Sequence, residues 1–144
     1  MTVRVEQSVE LPVPRERVWT FISDPEKRAR PISVVRDFEL ESDGRAIWQI
    51  KLPIPLIDRT IAVETENVTV DPPSYVKFVG RSRAMRVVGE HELAETENGT
   101  GTGTVLTNRF TVEGRVPGVE RYFRRNFEGE LDNLEDAIRE DLGL

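Results

Sequence analysis

The sequence GVERYFRRNFEGELDNLEDAIREDLGL, residues 118–144, contains the longest regular hydrophobic pattern of the chain. Its apolar side chains recur every three or four residues, the repeat of one helical face: Val119, Phe123, Phe127, Leu131, Leu134, Ile138 and Leu142. Such a helix would be about 35–40 Å long, the width of a small domain. Because the preceding segments are mostly predicted strands, we expect the helix to lie along a sheet, with any ligand held between them.

The segments before this helix alternate short apolar–polar runs with turn signals. Val3 to Leu11 is a predicted half-buried strand, and Arg15 to Ser23 and Pro25 to Arg30 are predicted short helices. Asp24 precedes a proline, the pattern of an N-cap followed by the first helical position. The remaining runs predict six more strands, at residues 34–41, 46–52, 60–70, 76–80, 83–96 and 103–114.

Two local patterns in these strands carry expectations about register. Asp43-Gly44 is a hairpin turn signal between two alternating runs. The alternation of the strand at 60–70 shifts between Val63 and Val68, which indicates a bulge. In the strand before the hairpin, the alternation places Val34, Phe38 and Leu40 on one face. Together these patterns predict an α+β fold, one domain over residues 1–144, with a curved antiparallel sheet of six to seven strands gripping the terminal helix.

Composition excludes several classes of protein. Of the 144 residues, 38% are hydrophobic and 32% charged, which is typical of a soluble globular domain. The net charge of −6 argues against a nucleic acid as partner. No apolar run is long enough for a transmembrane segment, and the N-terminus lacks the pattern of a signal peptide, so we expect a cytoplasmic protein. The absence of cysteine excludes a thiol nucleophile and a zinc–thiolate site.

His91 and Asn108 are the candidate polar groups of the interior. His91, the single histidine, shares its strand parity with Val87 and Leu93, and Asn108 lies between Leu106 and Phe110. Their strands are joined by one hairpin, so the two side chains can face each other. They could anchor the polar end of a ligand, with His91 also able to act as an acid or base. The alternative is a hydrogen bond between them that serves the fold alone.

Aromatic side chains dominate the rest of the predicted interior, where they either line an apolar pocket or pack as plain core. Ile50 lies on the same inward face as Trp48. Together with the polar pair they make up the predicted ligand-binding set: Phe38, Trp48, Ile50, Phe78, His91, Asn108, Phe110, Phe123 and Phe127. No catalytic residue is predicted. One histidine without other ligands nearby is a poor metal site, so we expect neither metal nor cofactor.

Several short motifs make the chain resemble a known superfamily. They are PRERVW at 14–19, SDP at 23–25, the strand containing Gly89 and Leu93, the entry to the last strand at 101–105, and the closing helix. With these the chain resembles the START-like, helix-grip superfamily (SRPBCC), which includes Bet v 1-type ligand carriers and polyketide cyclase/dehydrase-like proteins. The segment VEGRVPG at 112–118 is similar to the CoxG branch of that superfamily, which takes its name from carbon monoxide dehydrogenase.

The resemblance implies a cavity with apolar walls between the sheet and the long helix, but no shared catalytic set. We therefore predict a protein that binds, and could transport, a hydrophobic or amphipathic small molecule such as a lipid, a quinone or an aromatic polyketide. Two alternatives stay open. One is a polyketide cyclase/dehydratase-like enzyme with His91 as acid or base. The other is an accessory protein to a carbon monoxide dehydrogenase-like complex. Transient contact with a membrane is compatible with all three functions.

Overall fold

The computed structural model describes residues 2–42, 44–54, 59–98 and 101–144. Strands and helices follow in the order β1 (Thr2–Leu11), α1 (Arg15–Ile22), α2 (Pro25–Ala29), β2 (Val35–Ser42), β3 (Arg45–Ile50), β4 (Ile61–Asp71), β5 (Tyr75–Arg81), β6 (Met85–Asn98), β7 (Gly101–Gly114) and α3 (Val119–Asp141). The strands form one antiparallel sheet in the order β1-β7-β6-β5-β4-β3-β2. The predicted α+β fold, a curved sheet gripping a long terminal helix, is confirmed.

The terminal helix α3 packs across β1 and β7, and it also touches α1. Its whole apolar stripe from Val119 to Leu142 is buried. A helix in water gains little from propensity alone, so this stripe supplies most of the stability of α3 through its contact with the sheet. No helix in the described part of the chain is apolar enough over a sufficient length to cross a membrane.

The two short helices begin where the sequence signals predict. Pro14 is the extended N-cap of α1. Asp24 caps α2: one carboxylate oxygen accepts from the backbone N–H of Glu26 at 2.9 Å and of Lys27 at 3.3 Å. Pro25 occupies the first helical position, where its missing N–H costs nothing. This cap fixes the start of α2 and therefore the direction in which its side chains point.

Bulges affect the register of β4 with β5 and of β2 with β3. The pairing of β4 with β5 shifts between Asn67 and Thr69, which confirms the predicted bulge. Across the β2–β3 turn, Ser42 pairs with Arg45 and Gly44 has φ of 73°, whereas Asp43 lies outside the described residues. The inward–outward alternation of the β4 side chains is interrupted at this bulge, as expected when one strand carries an extra residue relative to its partner β5.

Leu40 shares the face of Phe38, as predicted, but its side chain is not buried. Leu40 is 58% exposed, whereas Val34 is buried and Phe38 is half-buried against the core. The pairing of β2 with β3 shifts twice, between Val35 and Asp37 and between Leu40 and Ser42. Neither shift lies between Phe38 and Leu40, which pair with the inward-facing Trp48 and Ala46. Leu40 is exposed because it lies toward the turn end of β2, the edge strand of the sheet.

The outer face of the sheet carries a shared ion-pair network centred on Arg109 in β7. Its guanidinium contacts Glu6 of β1 at 3.1 Å, Glu90 of β6 at 3.2 Å and Glu92 of β6 at 2.9 Å. An isolated surface pair contributes little, but one cation shared among three carboxylates ties neighbouring strands together. The network therefore fixes β1, β7 and β6 relative to one another from the solvent side.

Phe127 provides a test of how much the α3 stripe contributes to stability. Its ring is 3% exposed and lies 4.8 Å from the Phe110 ring and 5.3 Å from the Phe123 ring. Phe127→Ala should lower the free energy of unfolding by about 3–5 kcal/mol, because it removes a buried ring and leaves a cavity. Urea titration measures the change. Glu128→Ala, on the exposed side of α3, is the control and should change stability by less than about 0.5 kcal/mol.

A loss below about 1 kcal/mol for Phe127→Ala would contradict the burial of this ring between α3 and the sheet.

Candidate functional site

A row of three polar side chains crosses the inner face of β1, β7 and β6. Gln7 is paired with Asn108, and Asn108 is paired with His91, in the antiparallel register. Directly paired residues project to the same face of a sheet with their side chains close together. His91 and Asn108 are fully buried and Gln7 is half-buried. The row therefore places hydrogen-bonding groups in an otherwise apolar interior.

His91 and Asn108 meet as their strand parity predicts. The distance from His91 Nδ1 to Asn108 Oδ1 is 2.7 Å. An amide oxygen only accepts hydrogen bonds, so Nδ1 carries the hydrogen and Nε2 keeps a free lone pair. Burial, together with the charge of Arg28, lowers the pKa of His91 to about 3, and the hydrogen bond to Asn108 acts in the opposite direction. His91 is therefore neutral near pH 7 and has no proton to donate from Nε2.

Arg28 of α2 is the cation of this region, and it is 4% exposed. One terminal nitrogen donates to the carbonyl of Ile22 at 3.2 Å and the other to Asn67 Oδ1, at the β4 bulge, at 2.8 Å. The guanidinium lies 4.8 Å from the centre of the Phe78 ring. Burial lowers the pKa of Arg28 to about 10, with the charge of Asp24 acting in the opposite direction. Arg28 therefore stays charged, and within the described ranges it forms no ion pair with a carboxylate.

Phe78 is the ring that joins Arg28 to the polar row. Its centre lies 6.1 Å from the His91 ring, nearly parallel to it, and 5.6 Å from Trp48. The position paired with Phe78 on β6 is Gly89. A Cβ at Gly89 would lie 2.2 Å from the Phe78 ring, so only glycine lets the ring lie across β6 toward Phe110.

Several buried polar atoms of this region have no hydrogen-bond partner in the described structure: Gln7 Oε1, Arg28 Nε, Trp48 Nε1, His91 Nε2 and Asn108 Nδ2. An unsatisfied buried group costs about 1–3 kcal/mol. Because native interiors contain few such groups, their concentration at one place marks a site where polar atoms of another molecule would be stabilising.

A small apolar cavity lies beside the polar row, with a volume of about 20 Å³. Its lining is entirely apolar: Ile32, Val34, Trp48, Ile50, Met85, Val87, Phe110, Phe123 and Phe127. Pockets that enclose drug-sized ligands measure about 300–1,000 Å³, whereas about 10–15 Å³ accommodates one water. These side chains therefore do not enclose the expected ligand-sized cavity in this structure. Their aromatic rings fill most of the space between the sheet and α3.

One wall of this cavity is held by a buried carboxylate. Glu130 of α3 is 6% exposed and accepts hydrogen bonds from the Ser33 backbone N–H at 2.7 Å and the Ser33 hydroxyl at 2.8 Å. Asn133 donates to the same carboxylate at 3.2 Å. Ser33 lies between Ile32 and Val34, which both line the cavity. We call this contact the Glu130–Ser33 clasp; it fastens the connection between α2 and β2 to the terminal helix.

Comparison with known proteins places the chain in a family. Residues 2–139 match the family described as "Polyketide cyclase / dehydrase and lipid transport". The chain belongs to this polyketide cyclase/dehydrase and lipid transport family. No curated protein sequence matches the chain. The resemblance to the START-like superfamily is confirmed, while the finer placement near the CoxG branch stays a prediction.

Solved structures share the fold at low sequence identity. A START superfamily protein from Mycobacterium smegmatis has a TM-score of 0.71 and 11% identity over 94% of this chain and 93% of its own. The Zhui aromatase/cyclase from Streptomyces sp. R1128 has a TM-score of 0.67 and 16% identity over 96% and 95%. A truncated norcoclaurine synthase from Thalictrum flavum has a TM-score of 0.67 and 13% identity over 96% and 91%. At these identities the likeness concerns the fold alone.

The structure groups most of the predicted site residues of this polyketide cyclase/dehydrase-family protein. Trp48, Ile50, Phe110, Phe123 and Phe127 line the small cavity. Phe78, His91 and Asn108 form the polar region beside it. Phe38 is half-buried on the edge strand β2 and is not part of the cavity lining. In the described part of the chain, no three potential metal-ligating side chains cluster.

Sequence reasoning missed three polar residues of the interior. Gln7 shares the inward parity of Val5 and Val9, so its position in β1 was a readable signal. Glu130 lies three residues after Phe127 and next to Leu131, within the apolar stripe of α3, which was also readable. Arg28 gave no signal, because it stands among Lys27, Ala29 and Arg30 in a helix too short to show periodicity.

The depressed pKa of His91 predicts a pH dependence of stability. The unfolded chain takes up a proton on His91 below about pH 6.5, its ordinary pKa, whereas the folded protein does so only near a pKa of about 3. The unfolded state therefore binds more protons in this window, and the free energy of unfolding should fall by up to about 1.4 kcal/mol per pH unit below pH 6.5.

Urea titrations at several pH values between about 5 and 7 measure this slope, where an unperturbed histidine titrates. His91→Gln is the matched variant, since the chain has one histidine. The slope should be smaller in the variant than in the wild type. Equal slopes in the two proteins would show that His91 is protonated in the folded state at the same pH as in the unfolded chain.

Proposed function

We propose that this protein binds a hydrophobic or amphipathic small molecule, such as a lipid, a quinone or an aromatic polyketide, between the sheet and α3. The observation that carries the proposal is the concentration of unpartnered polar atoms on Arg28, His91 and Asn108 inside an apolar interior. A guest with a polar end recovers the free energy those groups lose on burial, and its apolar part replaces contacts with the surrounding rings. The family description, which names lipid transport and polyketide chemistry, supports the same interpretation.

A guest must enlarge the cavity, and the walls differ in how easily they move. The strands are held in hydrogen-bonded ladders, and α3 is held by its buried stripe. The segment carrying Ile32 and Val34 belongs to neither a helix nor a strand. Its attachment to α3 is the Glu130–Ser33 clasp. We therefore place the route of entry between this segment and α3.

An acid–base role for His91 in polyketide cyclisation has weaker support. Lowering of its pKa to about 3 leaves His91 uncharged near neutral pH, so it cannot act there as a general acid. Its free Nε2 is suited to accepting a hydrogen bond. The role as an accessory protein of a larger oxidoreductase complex stays a prediction from resemblance.

Contact quenching of Trp48 tests the proposed function. The chain contains two tryptophans, so Trp19→Phe leaves Trp48, a cavity-lining residue, as the sole reporter. A bromine atom quenches indole fluorescence at contact. Titration with 12-bromododecan-1-ol should quench Trp48 saturably, and unbrominated dodecan-1-ol should compete without quenching. Native mass spectrometry of gently purified protein would detect a guest that is already bound.

Trp48→Phe is the matched variant that reports from Trp19 of α1 instead, and its quenching should be much weaker. Absence of saturable quenching of Trp48, or stronger quenching of Trp19, would contradict binding beneath α3.

Loosening the clasp tests the route of entry. Glu130→Gln keeps the shape of the side chain but removes its charge, and hydrogen bonds to a charged group contribute about 1.5–3 kcal/mol. The rate of quenching by 12-bromododecan-1-ol in stopped-flow mixing should rise about three- to tenfold, because part of that contribution is retained by the amide. Glu128→Gln, on the exposed side of α3, should leave the rate unchanged. Equal rates in all three proteins would place the entry elsewhere.

A further inference from the structure

Polar side chains on α3 and β1 favour one orientation of the Asn108 amide. At the surface, Asp132 of α3 accepts a hydrogen bond from Gln7 Nε2 at 2.9 Å. A carboxylate only accepts, so the Gln7 amide presents its oxygen Oε1 to the interior. Gln7 is the register partner of Asn108, and Gln7 Oε1 and Asn108 Nδ2 are an acceptor and a donor that are both unpartnered. With the Gln7 acceptor on the neighbouring strand, the orientation that points the Asn108 oxygen toward His91 is favoured, and it leaves His91 Nε2 as an acceptor.

The other unpartnered atoms around His91 are donors. Arg28 Nε, Trp48 Nε1 and Asn108 Nδ2 each carry a hydrogen and accept nothing. Arg28 and Trp48 both contact the Phe78 ring, which also stacks on His91. Arg28 in addition supplies a buried positive charge that no carboxylate of the described residues pairs with. The site thus combines the acceptor His91 Nε2, the donors of Arg28 and Trp48 and a cation, framed by aromatic rings, while a second acceptor, Gln7 Oε1, lies on the strand paired with Asn108.

The group that fits this set donates one hydrogen and carries partial negative charge on the same oxygen. We propose that Arg28, His91 and Asn108 recognise a weakly acidic hydroxyl, of the phenol or enol type, on a planar apolar guest. The hydroxyl hydrogen is donated to His91 Nε2, and the oxygen accepts from the donors around Arg28. This inference rests on the proposed function and goes beyond it by naming the polar end of the guest.

Other common polar ends fit less well. A carboxylate, ionised at neutral pH, has no hydrogen for His91 Nε2 and presents a lone pair to a lone pair. An ether or an ester also lacks the hydrogen. An ammonium group meets the charge of Arg28, and like charges in a low-dielectric interior repel strongly. These differences allow the chemistry of the site to be determined with a matched set of ligands.

The test is isothermal titration calorimetry of the wild-type protein with 2-naphthol, 2-methoxynaphthalene and 2-naphthoate at neutral pH. All three share one ring system and differ at the polar end. 2-Naphthol should bind about tenfold or more tightly than the methyl ether, which is the effect of one well-made hydrogen bond of about 1.4 kcal/mol. It should also bind more tightly than the carboxylate. Its absorption should shift toward that of naphtholate, because Arg28 stabilises the oxygen's charge.

Arg28→Gln should abolish the shift and reduce the preference for the hydroxyl, with the affinity for the methyl ether retained. Arg30→Gln, an exposed neighbour in the same short segment, is the control and should behave as the wild type. Nitrogen-15 NMR of the single histidine should show the hydrogen on Nδ1 in the free protein. A hydrogen on Nε2 would overturn the inference without any variant being needed.

The outcomes separate this inference from the proposed function. Equal binding of 2-naphthol and its methyl ether overturns the hydroxyl preference and leaves apolar binding intact. Failure of both 2-naphthol and 2-methoxynaphthalene to bind also overturns the hydroxyl preference. The quenching of Trp48 by 12-bromododecan-1-ol then decides whether the proposed function fails as well.

Discussion

The structure depends on the burial of one helical stripe against one face of a sheet. The stripe of α3 covers β1 and β7, so the inward side chains of these strands and their neighbours must be apolar or must find partners within the interior. Most are apolar. Two buried threonines, Thr65 and Thr104, are satisfied by backbone carbonyls. The larger polar exceptions are Glu130 on α3, Arg28 on α2, and the row of Gln7, Asn108 and His91 on the sheet.

These exceptions divide into satisfied and unsatisfied groups. Glu130 has three hydrogen bonds and holds the α2–β2 connection, so its burial has a structural explanation. Arg28 is partly satisfied, since Asn67 and the Ile22 carbonyl bind its terminal nitrogens while Nε has no partner. His91 and Asn108 satisfy each other at one end only. A core selected for stability alone would replace such groups with apolar side chains of similar volume.

The spacing of apolar residues along the sequence predicted the long helix and the facing of one strand pair. The spacing of apolar residues located α3, and strand parity with one connecting hairpin placed His91 opposite Asn108. The exposure of Leu40 was not predicted, because alternation assigns a side chain to a face of the sheet and does not show whether an edge strand is covered there. The volume of the cavity between the sheet and α3 could not be predicted from the sequence, for a different reason. Whether Phe110, Phe123 and Phe127 line a space or fill it depends on ring rotations and backbone curvature, which no spacing rule encodes.

The Arg109 network has a consequence for how such a protein could diversify. It braces β1, β7 and β6 from outside, directly behind the strands that carry the inner polar row. The opposite wall, at Ile32 and Val34, is irregular and is fastened to α3 by the Glu130–Ser33 clasp. Under the proposed function, selectivity for a chemical group and tolerance of molecular size would depend on separate walls. Under the same proposal, substitutions at this irregular wall would change the range of guests without touching the polar row, so the two properties could be redesigned one at a time.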